Sequence, residues 1–280
     1  MDEERIRDIE IHLLLEALRL RFGYEFHNYS RASLKRRILG CLSTCAFKRI
    51  SDIIPLLLRD ESFHQKLILA LTVTVTEMYR DPEVFKSLKE HVFPVLKTWP
   101  FINVWHAGCA SGEEVYSLAI LLKEGGYLDR ARIYATDINE EALCKAREGV
   151  YPAGHLRQYE ENYRLAGGSE CLAQSCHIRY ELAMMHTDLR KNMVFANHNL
   201  ATDGTFTETH LILCRNVLIY FNQELQDRVL RLFAESLIHG GFLCLGSKES
   251  LRFSSVADQF VPICSEARIF QKRLEPNHES

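Results

Sequence analysis

Long apolar runs are missing from this chain. None reaches about 18 residues, so no membrane-spanning helix is expected. No secretory signal is expected, because Met1-Asp2-Glu3-Glu4-Arg5 is acidic where such a signal would be basic and then apolar. Neither sign of charge dominates: 34 Lys and Arg against 37 Asp and Glu leave a net charge of −3. That balance argues against nucleic acid as a partner unless charge is segregated locally. There is no repeat and no low-complexity tract, and only the polar tail 275–280 is expected to fray. Cysteine pairs at zinc-finger spacing are absent. The nine cysteines are scattered (Cys41, Cys45, Cys109, Cys144, Cys171, Cys176, Cys214, Cys244, Cys264). Cys171, Cys176 and His177 are neighbours, but no second pair accompanies them and no metal site is expected. Several cysteines lie inside apolar strand patterns, where a free thiol behaves as a small hydrophobe; they read as reduced, in a cytoplasmic protein. The dinucleotide fingerprint G-x-G-x-x-G is also absent, which disfavours an NAD-type oxidoreductase.

What is present is a globular composition, 47% apolar and 25% charged, over 280 residues. That length suits one large domain or one domain plus a smaller one. The chain is organised around residues 101–120. An apolar run over 101–107 reads as a buried parallel strand, and Val115, Leu118, Ala119 and Leu122 have helical spacing. Between them lies Gly108-Cys109-Ala110-Ser111-Gly112, whose small side chains let a ligand approach the backbone. Free amides at the start of the following helix add donors. Glu113 and Glu114 follow at once and suit a ligand amino group better than a pyrophosphate. A second strand, 132–139, brings Asp137 to its carboxyl tip, where a carboxylate can accept from two ribose hydroxyls. Glycine turn, acid and second-strand acid together form the pattern of S-adenosylmethionine binding.

Residues 1–22 have apolar residues at three- and four-residue spacing (Ile6, Ile9, Leu13, Ala17, Leu20), predicting an amphipathic helix ended by Gly23. In the next helix Leu34, Ile38, Cys41 and Leu42 face inward, leaving Arg31, Lys35, Arg36 and Arg37 as a basic face for an acidic partner. Two more helical stretches begin at Ser51 and Ser62, so 1–71 reads as an all-helical N-terminal domain. A linker and leading helix occupy 72–97, and a sheet domain 98–274. Asn139 is placed to cap a helix over 140–147. Residues 149–192 are broken by Tyr151, Pro152, Gly154, Tyr159, Tyr163, Gly167 and Gly168. Residues 177–182 alternate like a strand, so this segment reads as a small inserted antiparallel β subdomain. The wound pattern resumes with strands at 193–197 and 211–214. A helix capped by Asn222 follows, its inner face Leu225, Val229, Leu232, Phe233 and Leu237, and Gly240 and Gly241 end it. Strands at 242–245, 260–263 and 267–271 close the sheet, the last two as a hairpin.

Five segments in order carry a family resemblance: Thr76-Glu77-Met78-Tyr79-Arg80-Asp81-Pro82; Gly108-Cys109-Ala110-Ser111-Gly112-Glu113-Glu114; Ala135-Thr136-Asp137-Ile138; His198-Asn199-Leu200; and Cys214-Arg215-Asn216-Val217-Leu218-Ile219-Tyr220-Phe221. Over nearly its whole length the chain resembles the CheR chemoreceptor glutamate methyltransferases. The resemblance implies an α/β fold: a Rossmann-like methyltransferase sheet with a helical N-terminal domain and a β insert. It implies transfer of methyl from S-adenosylmethionine to glutamate side chains on cytoplasmic helices of a methyl-accepting chemoreceptor, giving γ-methyl esters and S-adenosylhomocysteine. It implies cofactor contacts from Thr74, Thr76, Arg80, Glu113, Glu114, Asp137, Asn199, Leu200, Arg215 and Asn216, and places Arg80 and Tyr220 beside the reacting methyl. The family often has Asn where Thr74 stands, Phe where Tyr79 stands, and Pro where Val115 stands. His106 and His198 read as structural. A glutamate acceptor needs no general base, since its carboxyl is ionised near pH 7; Lys35, Arg36 and Arg37 would dock it. The alternative is a regulatory module that keeps the cofactor pocket without catalysis.

Overall fold

A computed structural model describes residues 2–44 and 47–274. Cys45 and the tail 275–280 lie outside the described residues. Four helices form the N-terminal part: α1 (Glu3–Phe22), α2 (Arg31–Thr44), α3 (Ile53–Arg59) and α4 (Glu61–Leu71). Asp2 caps α1 by accepting from the Glu4 amide, and Gly23, at φ 77°, ends it in the left-handed region. The inward face of α1 differs from the one its spacing predicts. Ile11, Leu14, Leu15, Ala17 and Leu18 are buried, while Ile6, Ile9, Leu13 and Leu20 are exposed. The helix carries two apolar stripes, and periodicity alone cannot choose between them. The neighbouring helices choose the one with Leu14 and Leu18, whose full burial contributes about 1.5–3 kcal/mol each.

Helix α2 buries Leu34, Ile38, Cys41 and Leu42, as its spacing requires. Its cations do not form one free face. Lys35 Nζ lies 2.9 Å from Glu4 Oε1 and 3.8 Å from Asp8, and Arg31 lies 3.7 Å from Asp8. Arg37 turns the other way, donating to the Thr72 carbonyl at 3.0 Å. Only Arg36 stands exposed and apart from these contacts.

The chain leaves α4 through an extended segment and enters α5 (Pro82–Ser87), which continues through a π turn (Leu88–Val92) into α6 (Phe93–Leu96). A seven-stranded sheet follows, ordered β6-β2-β1-β7-β8-β10-β9. Its members are β1 (Ile102–Ala107), β2 (Ala131–Asp137), β6 (Met193–Asn197), β7 (Thr209–Cys214), β8 (Leu237–Leu245), β9 (Phe260–Cys264) and β10 (Ile269–Lys272). The first five are parallel; β10 runs antiparallel to both of its neighbours, β8 and β9. Helices α7 (Glu113–Glu124), α8 (Glu140–Glu148) and α11 (Gln223–Ser236) are its crossovers. Asn139 caps α8 and Asn222 caps α11, as expected. Strand order reverses between β1 and β7, so the crevice at their carboxyl ends is the topological position for a ligand.

Two local expectations fail. Gly240 and Gly241 do not stop α11, which ends at Ser236; they lie within β8, where a register shift against β7 marks an irregular start to the strand. Residues 177–182 are not one strand. β4 (Cys176–Arg179) and β5 (Leu182–Met185) are joined by a turn in which Tyr180 takes φ 55°. With β3 (Val150–Pro152) they make the small antiparallel sheet, order β3-β5-β4. The insert also contains α9 (Leu156–Leu165), missed because Tyr159 and Tyr163, which with Asn162 form its buried face, read as helix breakers. The short helix α10 (Thr187–Arg190) leads back to β6.

Candidate active site

The turn after β1 is fastened to β2. Gly108 and Cys109 both donate to the Thr136 carbonyl (2.8 and 2.9 Å), and Trp105 Nε1 donates to the Thr136 hydroxyl. A Cβ on Gly108 would stand 2.5 Å from a Val217 methyl, and one on Gly112 would stand 2.8 Å from Ala146 Cβ. Gly112 therefore serves the packing of α7 on α8. Asp137 ends β2 with Oδ2 accepting from the Ala110 amide and Oδ1 from Asn139, each at 2.9 Å. Burial pushes its carboxyl up, and these backbone donors oppose the shift.

The paired glutamates part company. Glu113 is buried, pushed up to about 7 by that burial against a hydrogen bond from the Ser111 hydroxyl at 2.7 Å. For Glu114 burial works against the charge, but Arg215 and His106 outweigh it and hold the carboxyl at about 2. Arg215 Nη1 lies 2.6 Å from Glu114 Oε2 and donates to the Arg80 carbonyl at 3.1 Å; Nη2 lies 2.6 Å from Asp81. This guanidinium is a clamp on its neighbours, and its buried Nε has no partner among the described residues. His106 Nδ1 is 3.5 Å from Glu114 Oε1. His198 packs against Trp105 and Phe206, is bonded to the Gly204 carbonyl, and also lines the site's cleft.

These elements enclose a cleft of about 1070 Å³, open solvent included. It is lined by Thr76, Arg80, Glu114, Asp137, Asn199, Leu200, Arg215, Asn216 and Tyr220, so most sequence-predicted site residues meet in one place. Thr74 and Glu113 are outside the lining; Thr74 offers its carbonyl to Ser111, 3.5 Å away. The N-terminal part completes the wall with Tyr29, from the segment before α2, and with Ser33 and Leu34 of α2. Arg37 lies over the Tyr220 ring at 5.5 Å. The Ser30 amide donates to the Tyr220 carbonyl, and Tyr29 bridges Phe221.

One residue of this region was missed in the sequence. Glu249, after β8, accepts from the amides of Gly246, Asn216 and Ile219 (2.6, 3.2 and 3.3 Å) and so holds the loop that carries Asn216 and Tyr220. Its place at the carboxyl end of a strand was the only signal. Among the described residues no cluster of three or more His, Cys, Asp or Glu side chains could hold a metal, and no helix is long and apolar enough to cross a membrane.

Residues 74–268 match the CheR methyltransferase SAM binding domain, and residues 9–72 match the CheR methyltransferase all-alpha domain. The chain belongs to the CheR family. A protein named "Putative methyltransferase Cher3" from Pseudomonas putida is 52% identical over 272 residues, covering 97% of this chain and all of that one. "Chemotaxis protein methyltransferase" of Salmonella typhimurium is 34% identical over 204 residues, 70% of this chain and 66% of that one. Its namesake in Listeria monocytogenes is 29% identical over 231 residues, 82% and 85% of the two chains. As a CheR methyltransferase the chain uses S-adenosylmethionine, and the cleft has the donor set for it. It has a carboxylate at the β2 tip, an acid beside the β1 turn, and an Asn199 amide nitrogen with no partner among the described residues. Asn199 Oδ1 already accepts from the Ala201 amide.

Proposed function

We propose that this CheR methyltransferase esterifies glutamate side chains on the cytoplasmic helices of a methyl-accepting chemoreceptor. The relatives' names support the pathway. The single structural observation that supports the acceptor is that Arg80 and Tyr220 both line the Asp137 cleft. A carboxylate entering it meets a guanidinium group and a phenol, whose ring has Arg37 over it at 5.5 Å.

The cofactor supplies an electrophilic methyl on a sulfonium, and passing it to a carboxylate oxygen leaves the thioether product with no proton to move. Asp137 would hold the ribose hydroxyls. Glu114, kept ionised by Arg215, would attract the methionine ammonium. Ile138, Leu200 and Val217 offer apolar walls for the adenine. Arg80 and Tyr220 would strip and orient the acceptor, which is a positioning task. Exposed Arg36 would face an acidic helix, and the insert offers a second contact.

The test is methyl transfer from labelled S-adenosylmethionine to receptor fragments. Label released as methanol by mild alkali, and lost when the acceptor glutamates are replaced by alanine, supports the ester. Alkali-stable label, or label on other side chains, overturns it.

A further inference from the structure

Arg80 sits in a backbone turn that its sequence would not adopt unaided. Pro82 disfavours the right-handed helical region for Asp81, and Asp81 takes φ 55°, ψ 69°. Tyr79 also takes φ 55°, an outlier for a bulky side chain. Such strain persists only where the surroundings over-determine the conformation. Here they do. The Tyr79 amide donates to Ser117 Oγ at 2.9 Å, and that hydroxyl donates onward to the Glu113 carbonyl at 2.7 Å. Arg215 holds the Arg80 carbonyl and the Asp81 carboxylate. The remaining tie comes from the inserted subdomain. Asn162, buried on α9, donates through Nδ2 to the Met78 carbonyl at 3.1 Å. The Met78 carbonyl can only accept, which settles the end of the amide that faces it, and Gln158, one turn earlier, donates to Asn162 Oδ1 at 3.0 Å. The Tyr79 ring packs against Tyr163 of the same helix, centroids 5.2 Å apart. The Arg80 guanidinium has no hydrogen bond or ion pair among the described residues, so only the turn sets its aim.

We infer that Asn162 is a positioning residue for Arg80. By holding the Met78 peptide it keeps the strained turn closed and the guanidinium directed into the cleft. This rests on the reading that Arg80 orients the acceptor carboxylate. Without the bond, the Met78–Tyr79 peptide keeps only its N–H tie to Ser117, the strained turn loosens, and Arg80 swings away. The role falls to the insert, on an element separate from both the sheet and the N-terminal helices.

The experiment is a double-mutant cycle in the full chain with Asn162→Asp, which keeps shape and removes the donor, and Arg80→Ala. Single-turnover methyl transfer is measured with saturating receptor fragment. Asn162→Asp should lower the rate about tenfold, as small misplacements of an orienting group do, and should add less than twofold to Arg80→Ala. A wild-type rate for Asn162→Asp overturns the inference, as does an undiminished tenfold loss in the Arg80→Ala background. A wild-type rate for Arg80→Ala instead sinks the reading of Arg80 itself, a result that does not involve Asn162. The nitrogen-15 resonance of Arg80 Nε supplies a readout independent of turnover: it should shift in Asn162→Asp, and an unmoved Arg80 resonance overturns the inference. If Asn162→Asp does not fold, Asn162→Ala takes its place in the same cycle, with the same outcomes.

Discussion

Arg215 at the tip of β7 and Asp81 before α5 lie 2.6 Å apart although 134 residues separate them in the chain. The same guanidinium reaches Glu114 at 2.6 Å, so one buried cation ties linker, first crossover helix and central strand. Arg215→Met should strand Glu114 in the interior and cost about 3–5 kcal/mol, read from urea unfolding. The acid side should change with it. With its folded value near 2 against an ordinary 4.5, Glu114 contributes stability that is complete above about pH 4.5 and lost as pH falls toward 2. In Arg215→Met that acid-side loss should disappear, and Glu114→Gln added to it should restore part of the stability. A single mutant as stable as wild type would mean that the clamp contributes nothing.

Glu113 works in the opposite direction. Its carboxyl is raised to about 7, so below pH 4.5 folded and unfolded chains both hold the proton. Between 4.5 and 7 the unfolded chain releases it first, and stability falls as pH rises through that window. Glu113→Gln should match wild type at pH 4 and exceed it by about 1–3 kcal/mol at pH 8. Melts at both values decide this; a pH-independent difference would show that Glu113 titrates normally.

Asp137→Ala should weaken S-adenosylhomocysteine binding at least tenfold, since hydrogen bonds to a charged group contribute about 1.5–3 kcal/mol each. Asp137→Asn, which keeps one acceptor oxygen for the Ala110 or Asn139 amide, should fall between. Calorimetric affinities equal to wild type would remove the ribose from the β2 tip.

Tyr220→Phe should lower kcat and leave cofactor affinity nearly intact, the pattern of an interaction made with the acceptor. The ring itself should stay in place, because its packing against Arg37 and the Ser30–Tyr220 backbone bond survive the change. Full turnover at saturating receptor would leave Tyr220 as a wall residue only.

Arg36 is the clean probe of docking, because Lys35 is already engaged by Glu4 and Asp8. Arg36→Glu should raise KM for the receptor and flatten its salt dependence, as loss of a screened long-range attraction requires. Its melting temperature should barely move. Initial rates at low and moderate salt are the measurement, and an unchanged salt slope would shift docking to the insert.

The strand at 102–107, the small-residue turn, Asp137 at its strand tip and the caps Asn139 and Asn222 were all legible in the residues. Each depends on local chemistry: apolar runs, backbone access, side chains that reach their own amides. The buried face of α2 was legible for the same reason, since only one apolar stripe exists there. In α1 two stripes compete, and the choice between them belongs to the helices packed alongside. The division of labour within Glu113-Glu114 was likewise invisible, because it depends on Arg215, about a hundred residues away. The basic run at Lys35–Arg37 showed its sign in the sequence but not its three directions. Those follow from the acids of α1 on one side and Thr72 and Tyr220 on the other. Local rules thus determine which elements form and where a ligand can lie between them. Long-range neighbours alone decide which charges are spent within the fold and which, like that of Arg80, are left in the cleft unpaired among the described residues.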